Sequence, residues 1–444
     1  MNRPLTAIAL ILSLTLASCG KEEETPPAPY AVEEVPLSQV AEDLAAGKTT
    51  AVAVTQAYID RINMYDGPLN GVIAIAPDAL QQAAASDARR KEGKTLGALD
   101  GIPILLKDNL DAVGMPTTAG SWALENNMPK EDSEVVRRLR AAGAVIMGKA
   151  NTSQFAGFRT ATGINGSTLG GGTHNPYDVT RTAAGSSNGS GIVASASFTA
   201  GAIGTETSGS IVGPSNVNGV VGLKSTIALV SRRGIVPISL TQDMAGPMTR
   251  TVRDAAMILN VIAGSDPGDP WSKEADANKK DYVAALSTDA LKGKRVGVVR
   301  LGTAYDEKTT PVFEEALATM AAQGAEIVEI TDHGLVNVGA QMGPTLLADF
   351  KEDLNNYLAG TDPALVKVRT LADVIAFNET DPRESMHAQE AFTMAEATVD
   401  GRANPEYQKV LAEGKRLAGP DGLDRVMADN NVVAIIGLTD GPAS

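Results

Sequence analysis

The chain has 444 residues, 43% of them apolar, with 44 glycines and a formal charge of −15. That is a globular composition with a glycine surplus, and its acidity argues against nucleic acid as a partner and does not favour anionic substrates. The length allows two or three domains, but large α/β enzymes of this size also fold as one.

The first residues do not read as fold. Arg3 gives a positive start, "LTAIALILSLTLA" is too short for a comfortable membrane span, and the run ends in "LASC", Leu16–Cys19. Small residues before a cysteine are what a lipoprotein signal needs, and Cys19 is the only cysteine in the chain. Residues 1–18 are therefore expected to be a signal peptide. Residues 19–35, with "GKEEETPPAPYAVEE", are expected to be a lipidated Cys19 and a flexible tether. The expected location is a bacterial membrane surface, facing the periplasm or the exterior. One cysteine permits no disulfide within the chain.

From Pro36 to Tyr65 apolar residues recur at helical spacing, broken by "GKTT", where a threonine can cap a second helix. "GVIAIAPDALQQAAASDARRKEG" predicts a strand and an alanine-rich helix, and "IPILLKDNL" a short apolar run ending on charge. "DSEVVRRLRAAGAVIMGKAN" predicts helix, glycine stop and buried strand. "GIVASASFTAGAIG" reads as an apolar helix, followed by helix "DAAMILNVIAG", strand "RVGVVRL" and a helix–strand pair in "TTPVFEEALATMAAQGAEIVEIT". "NNVVAIIGLTDGPAS" predicts a buried strand and a turn. This alternation predicts an α/β fold, with one domain over 36–444 and no internal repeat. A buried strand as the last element also predicts that the C-terminal part is missing.

The inventory narrows the chemistry. His174, His333 and His387 have no neighbours at metal-ligand spacing, so neither a metal nor a cofactor is expected. Without a free thiol, a hydrolase here would use Ser or Thr, with lysine as a candidate base. Four readings compete for "AAGSSNGSG", residues 183–191. A flexible linker does not lead directly into an apolar helix. A G-x-S-x-G elbow centred on Ser187 lacks its preceding strand, and so does a dinucleotide loop at "GSGIVA". The fourth is a Ser–Ser–Lys site that draws on a second loop, "GTETSGSIVGPSN". There Ser210 follows a small-residue turn whose N–H groups can converge on an oxyanion. Lys107, emerging from "IPILL", is the candidate base, with a pKa lowered by partial desolvation. The two serine loops lie at opposite ends of one segment read as helix, so another segment is expected to join them.

"GIPILLKDN", "GSSNGSG" and "GTETSGSIVGPSNVNGVVGLKST", with "TTAGSWAL", "VPISLTQDMAGPMTRTV" and "GSDPGDP", together resemble the amidase signature family, and within it the bacterial peptide amidases. The resemblance runs through most of Leu37 to Ser444. It implies a single domain with a mixed, mostly parallel central sheet covered by helices on both faces. It also implies hydrolysis of a carboxamide, a peptide amide or small amide, to carboxylate and ammonia through an acyl-enzyme. By motif position it makes Lys107 the base, Ser186 the bridging serine after a cis peptide, and Ser210 the nucleophile. Ser187 takes a supporting role, and the N–H groups of Thr207, Ser208, Gly209 and Ser210 form the oxyanion hole. Asn188, Ser208 and Ser225 depart from the family pattern, as does the early end. Those departures motivate an alternative, a catalytically impaired, membrane-anchored lipoprotein that binds peptides on the same scaffold. A tRNA-modifying amidotransferase shares the motifs but fits an exported lipoprotein poorly.

Overall fold

The computed structural model describes residues 30–160, 165–301, 305–335 and 338–439. The signal, Cys19 and most of the tether lie outside the described residues, as do 440–444. The opening helices are Leu37–Ala45 and Ala51–Tyr65. The break between them ends in the predicted cap, where the Thr50 side chain accepts the Ala53 N–H at 3.1 Å.

The described residues contain eleven strands: β1 (Val72–Ile75), β2 (Pro103–Lys107), β3 (Val145–Ala150), β4 (Gly166–Ser167), β5 (Gly171–Gly172), β6 (Gly201–Glu206), β7 (Val221–Gly222), β8 (Met244–Thr249), β9 (Arg295–Val298), β10 (Glu326–Glu329) and β11 (Ala434–Ile436). Six form the main sheet in the order β1-β3-β2-β6-β8-β7. The sheet is mixed, and its parallel part is its centre, β3-β2-β6, with antiparallel pairs on the flanks. β2, β3, β6 and β8 are buried along their whole length, and their small and apolar residues are interrupted only by Lys107, Lys149, Thr205, Glu206 and Thr249.

Both faces of this sheet are covered. The space beside Gly204 in β6 is filled by Ser187, at the start of the helix Asn188–Ser195, while that beside Gly201 is filled by Ile258 and Leu37 from the helices Val252–Ile262 and Leu37–Ala45. The helix Glu134–Ala141 begins at Ser133, whose side chain accepts the Val136 N–H at 3.3 Å. The chain then turns at Gly143, where φ is +83° and a Cβ would lie 2.6 Å from the Asp100 side chain, so only glycine fits.

Two smaller units flank this body. Parallel strands β10-β9-β11 form a second sheet, packed by the helices Thr309–Ala322 and Asp424–Asn430. The final strand is not the buried one expected: β11 is partly to largely exposed and, among the described residues, pairs only with β9 at the edge of its sheet. The helices Gly339–Gly360, Leu371–Thr380 and Glu390–Glu396 enclose a separate apolar cluster around Phe155, Phe350 and Phe392.

Candidate active site

Because β2, β3 and β6 run parallel, their carboxyl ends meet at one edge of the sheet, where ligands of α/β folds commonly bind. Lys107 is the last residue of β2, and the loop carrying Ser210 leaves β6 at the same edge. The expected long helix after Ser186 is in fact a helix and a strand. Asn188–Ser195 runs away from the edge and β6 returns to it. This out-and-back path, with no third segment, brings the two serine loops together. The Ser187 N–H donates to the Ser210 carbonyl at 3.1 Å.

Lys107 is fully buried. Its Nζ lies 2.7 Å from Ser186 Oγ, 2.9 Å from Thr205 Oγ1 and 3.2 Å from the Thr205 carbonyl. Burying an amine costs several kcal/mol, whereas its strand neighbours Ile104, Leu105 and Leu106, all fully buried, contribute roughly 1.5–3 kcal/mol each. Burial pushes the lysine down to about 7, against the opposing pull of the Asp243 and Glu206 carboxylates.

The Gly185–Ser186 peptide is cis. The Ser186 carbonyl accepts the Ser153 N–H at 3.0 Å and the Thr152 hydroxyl at 3.1 Å. Ser187 Oγ donates to the Thr205 carbonyl at 2.9 Å and accepts the Thr205 N–H at 3.2 Å, so its hydroxyl is spent on fastening the loop to β6.

Thr207, Ser208, Gly209 and Ser210 form a tight turn with Gly209 at φ +77°. Two carboxylates hold it. Glu206 Oε2 accepts the N–H groups of Ile211 and Val212 at 2.7 and 3.0 Å, and Asp243 bonds the Thr207 hydroxyl. Among the described residues the N–H groups of Ser208, Gly209 and Ser210 have no recorded acceptor.

Ser186, Thr207, Ser208 and Ser210 line one open cavity of about 720 Å³. Its walls are largely apolar, with Ala156 and Phe158, Ile238, Leu346 and Leu347 on the long helix, and Met394, and they also carry Ser153, Asn165 and Thr182. No charged side chain lines it among the described residues.

Of the departures, Asn188 is buried, its Oδ1 accepting the Gly189 N–H at 2.9 Å, and Ser208 lies exposed at the cavity. Ser225 Oγ is buried without a hydrogen-bond partner among the described residues. His174 bonds the Val179 carbonyl at 2.8 Å, and Arg181 and Asp178 are an exposed pair at 3.7 Å, all away from the cavity lining. Sequence reasoning missed Thr205, Asn109 and Asp243. Thr205 and Asn109 are near Lys107 because Asn109 Nδ2 bonds Thr205 Oγ1 at 2.9 Å. Their signal was polar residues inside runs that otherwise read as core.

Comparison with known proteins shows the family. The family model described as Amidase matches residues 53–414. A probable amidase of Arabidopsis thaliana is 36% identical over 448 aligned positions, covering 97% of this chain and 84% of that protein. A glutamyl-tRNA(Gln) amidotransferase chain of Streptomyces coelicolor is 41% identical over 297 positions, 66% of this chain and 58% of that protein. The solved structure of native peptide amidase from Stenotrophomonas maltophilia superposes with a TM-score of 0.87 at 40% identity, covering 94% of this chain and 87% of that one. A peptide amidase in complex with the competitive inhibitor chymostatin gives 0.86 at 40% identity, covering 93% and 85%. The chain belongs to the amidase family, with the amidase signature fold, and is a hydrolase of amide C–N bonds.

Proposed function

We propose that the substrate is a carboxamide, a peptide amide or small primary amide, and that Ser210 attacks it with Ser186 as proton bridge and Lys107 as base. The observation that carries the reading is the 2.7 Å contact between Lys107 Nζ and Ser186 Oγ beside the cavity that Ser210 lines. A neutral amine has two N–H bonds and one lone pair. The Thr205 carbonyl can only accept, and Thr205 Oγ1 accepts from Asn109 as well. Giving both N–H bonds to Thr205 leaves the lone pair for the Ser186 hydroxyl.

Lys107 then takes the Ser186 proton as Ser186 takes that of Ser210. The Ser210 Oγ–carbon bond forms and the turn amides hold the oxyanion. The proton returns through Ser186 to the leaving nitrogen, the C–N bond breaks and ammonia departs. Water, activated by the same relay, cleaves the acyl-enzyme. Likeness to peptide amidases supports a C-terminal amide as the substrate, and the uncharged cavity wall suits its neutral end.

The test is ammonia release across peptide amides, free primary amides and anilides, with mass spectrometry of a fluorophosphonate adduct. Release from primary amides and an adduct on Ser210, both lost in Ser210→Ala, are expected. An adduct on Ser187, or unchanged release from Ser210→Ala, overturns the assignment. The reading as a non-catalytic peptide binder has no observation in its favour.

We also propose that Cys19 carries a lipid that tethers the enzyme to a membrane outside the cytoplasm, a reading supported by "LASC" and the apolar run before it. Metabolic palmitate labelling should mark the wild type and not Cys19→Ser. Equal labelling of both overturns it.

A further inference from the structure

"VPISLTQDMAGPM" contains a carboxyl group, Asp243, that the relay above does not use. Asp243 stands one residue before β8. β6 and β8 are antiparallel with Glu206 opposite Met244, so the next step outward sets Thr207 beside Asp243. Asp243 Oδ1 bonds the Thr207 hydroxyl, while Oδ2 accepts the N–H groups of Ile238 and Ser239 at 2.8 and 3.0 Å. The side chain is buried, with no lysine or arginine in ion-pair contact among the described residues. Burial pushes this carboxyl up to about 7.

A second observation joins it to the base. A small cavity of about 10 Å³ lies between Asn109, Thr205, Thr207 and Asp243, with Ala156, Ile235, Val236, Ile238 and Met244 completing its lining. That is roughly the least volume that admits one water. Asn109 Oδ1 is buried without a partner among the described residues, and Asn109 Nδ2 donates to Thr205 Oγ1, which in turn bonds Lys107.

We propose that Asp243 is a positioning residue for amide hydrolysis: it anchors Thr207, and with it the oxyanion turn, and across the small cavity it sets how tightly Lys107 holds its proton. The proposal rests on Lys107 acting as the base. The other charged groups around the pair are Glu206 on β6, Asp353 and Asp349 on the helix Gly339–Gly360, and Arg402, which bonds both of these aspartates. The sign follows from the charges. The Asp243 carboxylate favours protonated Lys107, so its removal lets the lysine stay neutral at lower pH.

Two substitutions separate the two effects. Asp243→Asn removes the charge and keeps a bond to Thr207, its oxygen accepting the Ile238 and Ser239 N–H groups and its amide N–H donating to the Thr207 hydroxyl oxygen, whereas Thr207→Val removes the hydroxyl and keeps the charge. The readout is the rate of fluorophosphonate labelling of Ser210 in the full chain across roughly pH 5 to 9. Asp243→Asn should move the acid limb down by about half a pH unit or more. Thr207→Val should slow labelling about tenfold or more with the limb in place, and Thr207→Ser should restore it. An unmoved limb in Asp243→Asn overturns the link to Lys107, and Thr207→Val labelling within about twofold of wild type overturns the anchoring. Thr207→Val and Thr207→Ser still decide the anchoring if Asp243→Asn does not fold, and Asp243→Ser, which also removes the charge, then decides the link, which an unmoved limb overturns. Lys107→Ala separates the two levels. If it labels as fast as wild type, the base assignment itself falls. If it is silent while the Asp243 variants behave as wild type, only the present proposal falls.

Discussion

At the scale of single residues, the proposed relay depends on Lys107 giving up its proton, which its burial favours. Lys107 is pushed down to about 7, and only its neutral form can accept a proton. Turnover should therefore fall as pH drops through about 7 and level off above it, as an ammonia-release profile can check. An acid limb absent from that range counts against a lysine base. Lys107→Ala should lower kcat by about 10²–10⁴-fold, the usual worth of a general base. Ser187 makes the opposite case. Its hydroxyl is committed to both backbone groups of Thr205. Ser187→Ala should cost about 1–3 kcal/mol in a denaturant melt while fluorophosphonate still labels Ser210. Labelling abolished in a folded Ser187→Ala protein contradicts that supporting role.

At the scale of elements, the glycine-serine stretch is explained by close approach. The helix Asn188–Ser195 sits against the chain just after β3, so a Cβ on Gly189 would lie 2.3 Å from the Asn151 carbonyl oxygen and 2.4 Å from its nitrogen. These are backbone atoms and have no rotamer to yield. Gly189→Ala should destabilise the protein by about 1–3 kcal/mol and, by shifting the start of the helix, pull Ser186 away from Lys107. Thermal unfolding and ammonia release together check this, and an unfolding midpoint and rate both like wild type sink it. The same closeness shows why composition misleads here. Small polar residues suit a linker and a packed loop equally, and only the surrounding backbone distinguishes them. The helix-to-strand change at "TAGAIG" was hidden for a related reason. Alanine and glycine carry too little side chain to show a period of 3.6 or of 2.

At the scale of the molecule, the cavity wall is tied to the helical cluster by a buried ion pair. Arg159 and Glu384 are almost wholly buried and bonded to each other. Glu384 Oε1 also accepts the Trp122 N–H at 2.9 Å and the Ser121 hydroxyl at 3.1 Å, and Oε2 accepts Gln154 Nε2 at 2.8 Å. These bonds fix the segment carrying Ala156 and Phe158. Glu384→Ala leaves a buried guanidinium without its counter-charge and should cost about 3–5 kcal/mol. It should also raise KM more than it lowers kcat, because it loosens the wall and leaves the relay in place. A melt within about 1 kcal/mol of wild type contradicts this.

By itself the sequence determined the α/β alternation, the early helices and the Thr50 cap, and the motifs that identify the family. Local spacing, capping residues and β-branched runs express these directly. It also named Lys107, Ser186 and Ser210, through several ordered motifs taken together and not through any one of them. Only the tertiary structure decided that β6 returns the second serine loop to the first, that β11 lies at the edge of a separate sheet, and that Thr205, Asn109 and Asp243 gather around the lysine. Arg159 and Glu384 meet from 225 positions apart. The physical reason is common to all of these. Periodicity reports which face of an element is buried, but the partner that satisfies a buried polar group is chosen by chain crossings and strand register, which leave no local mark.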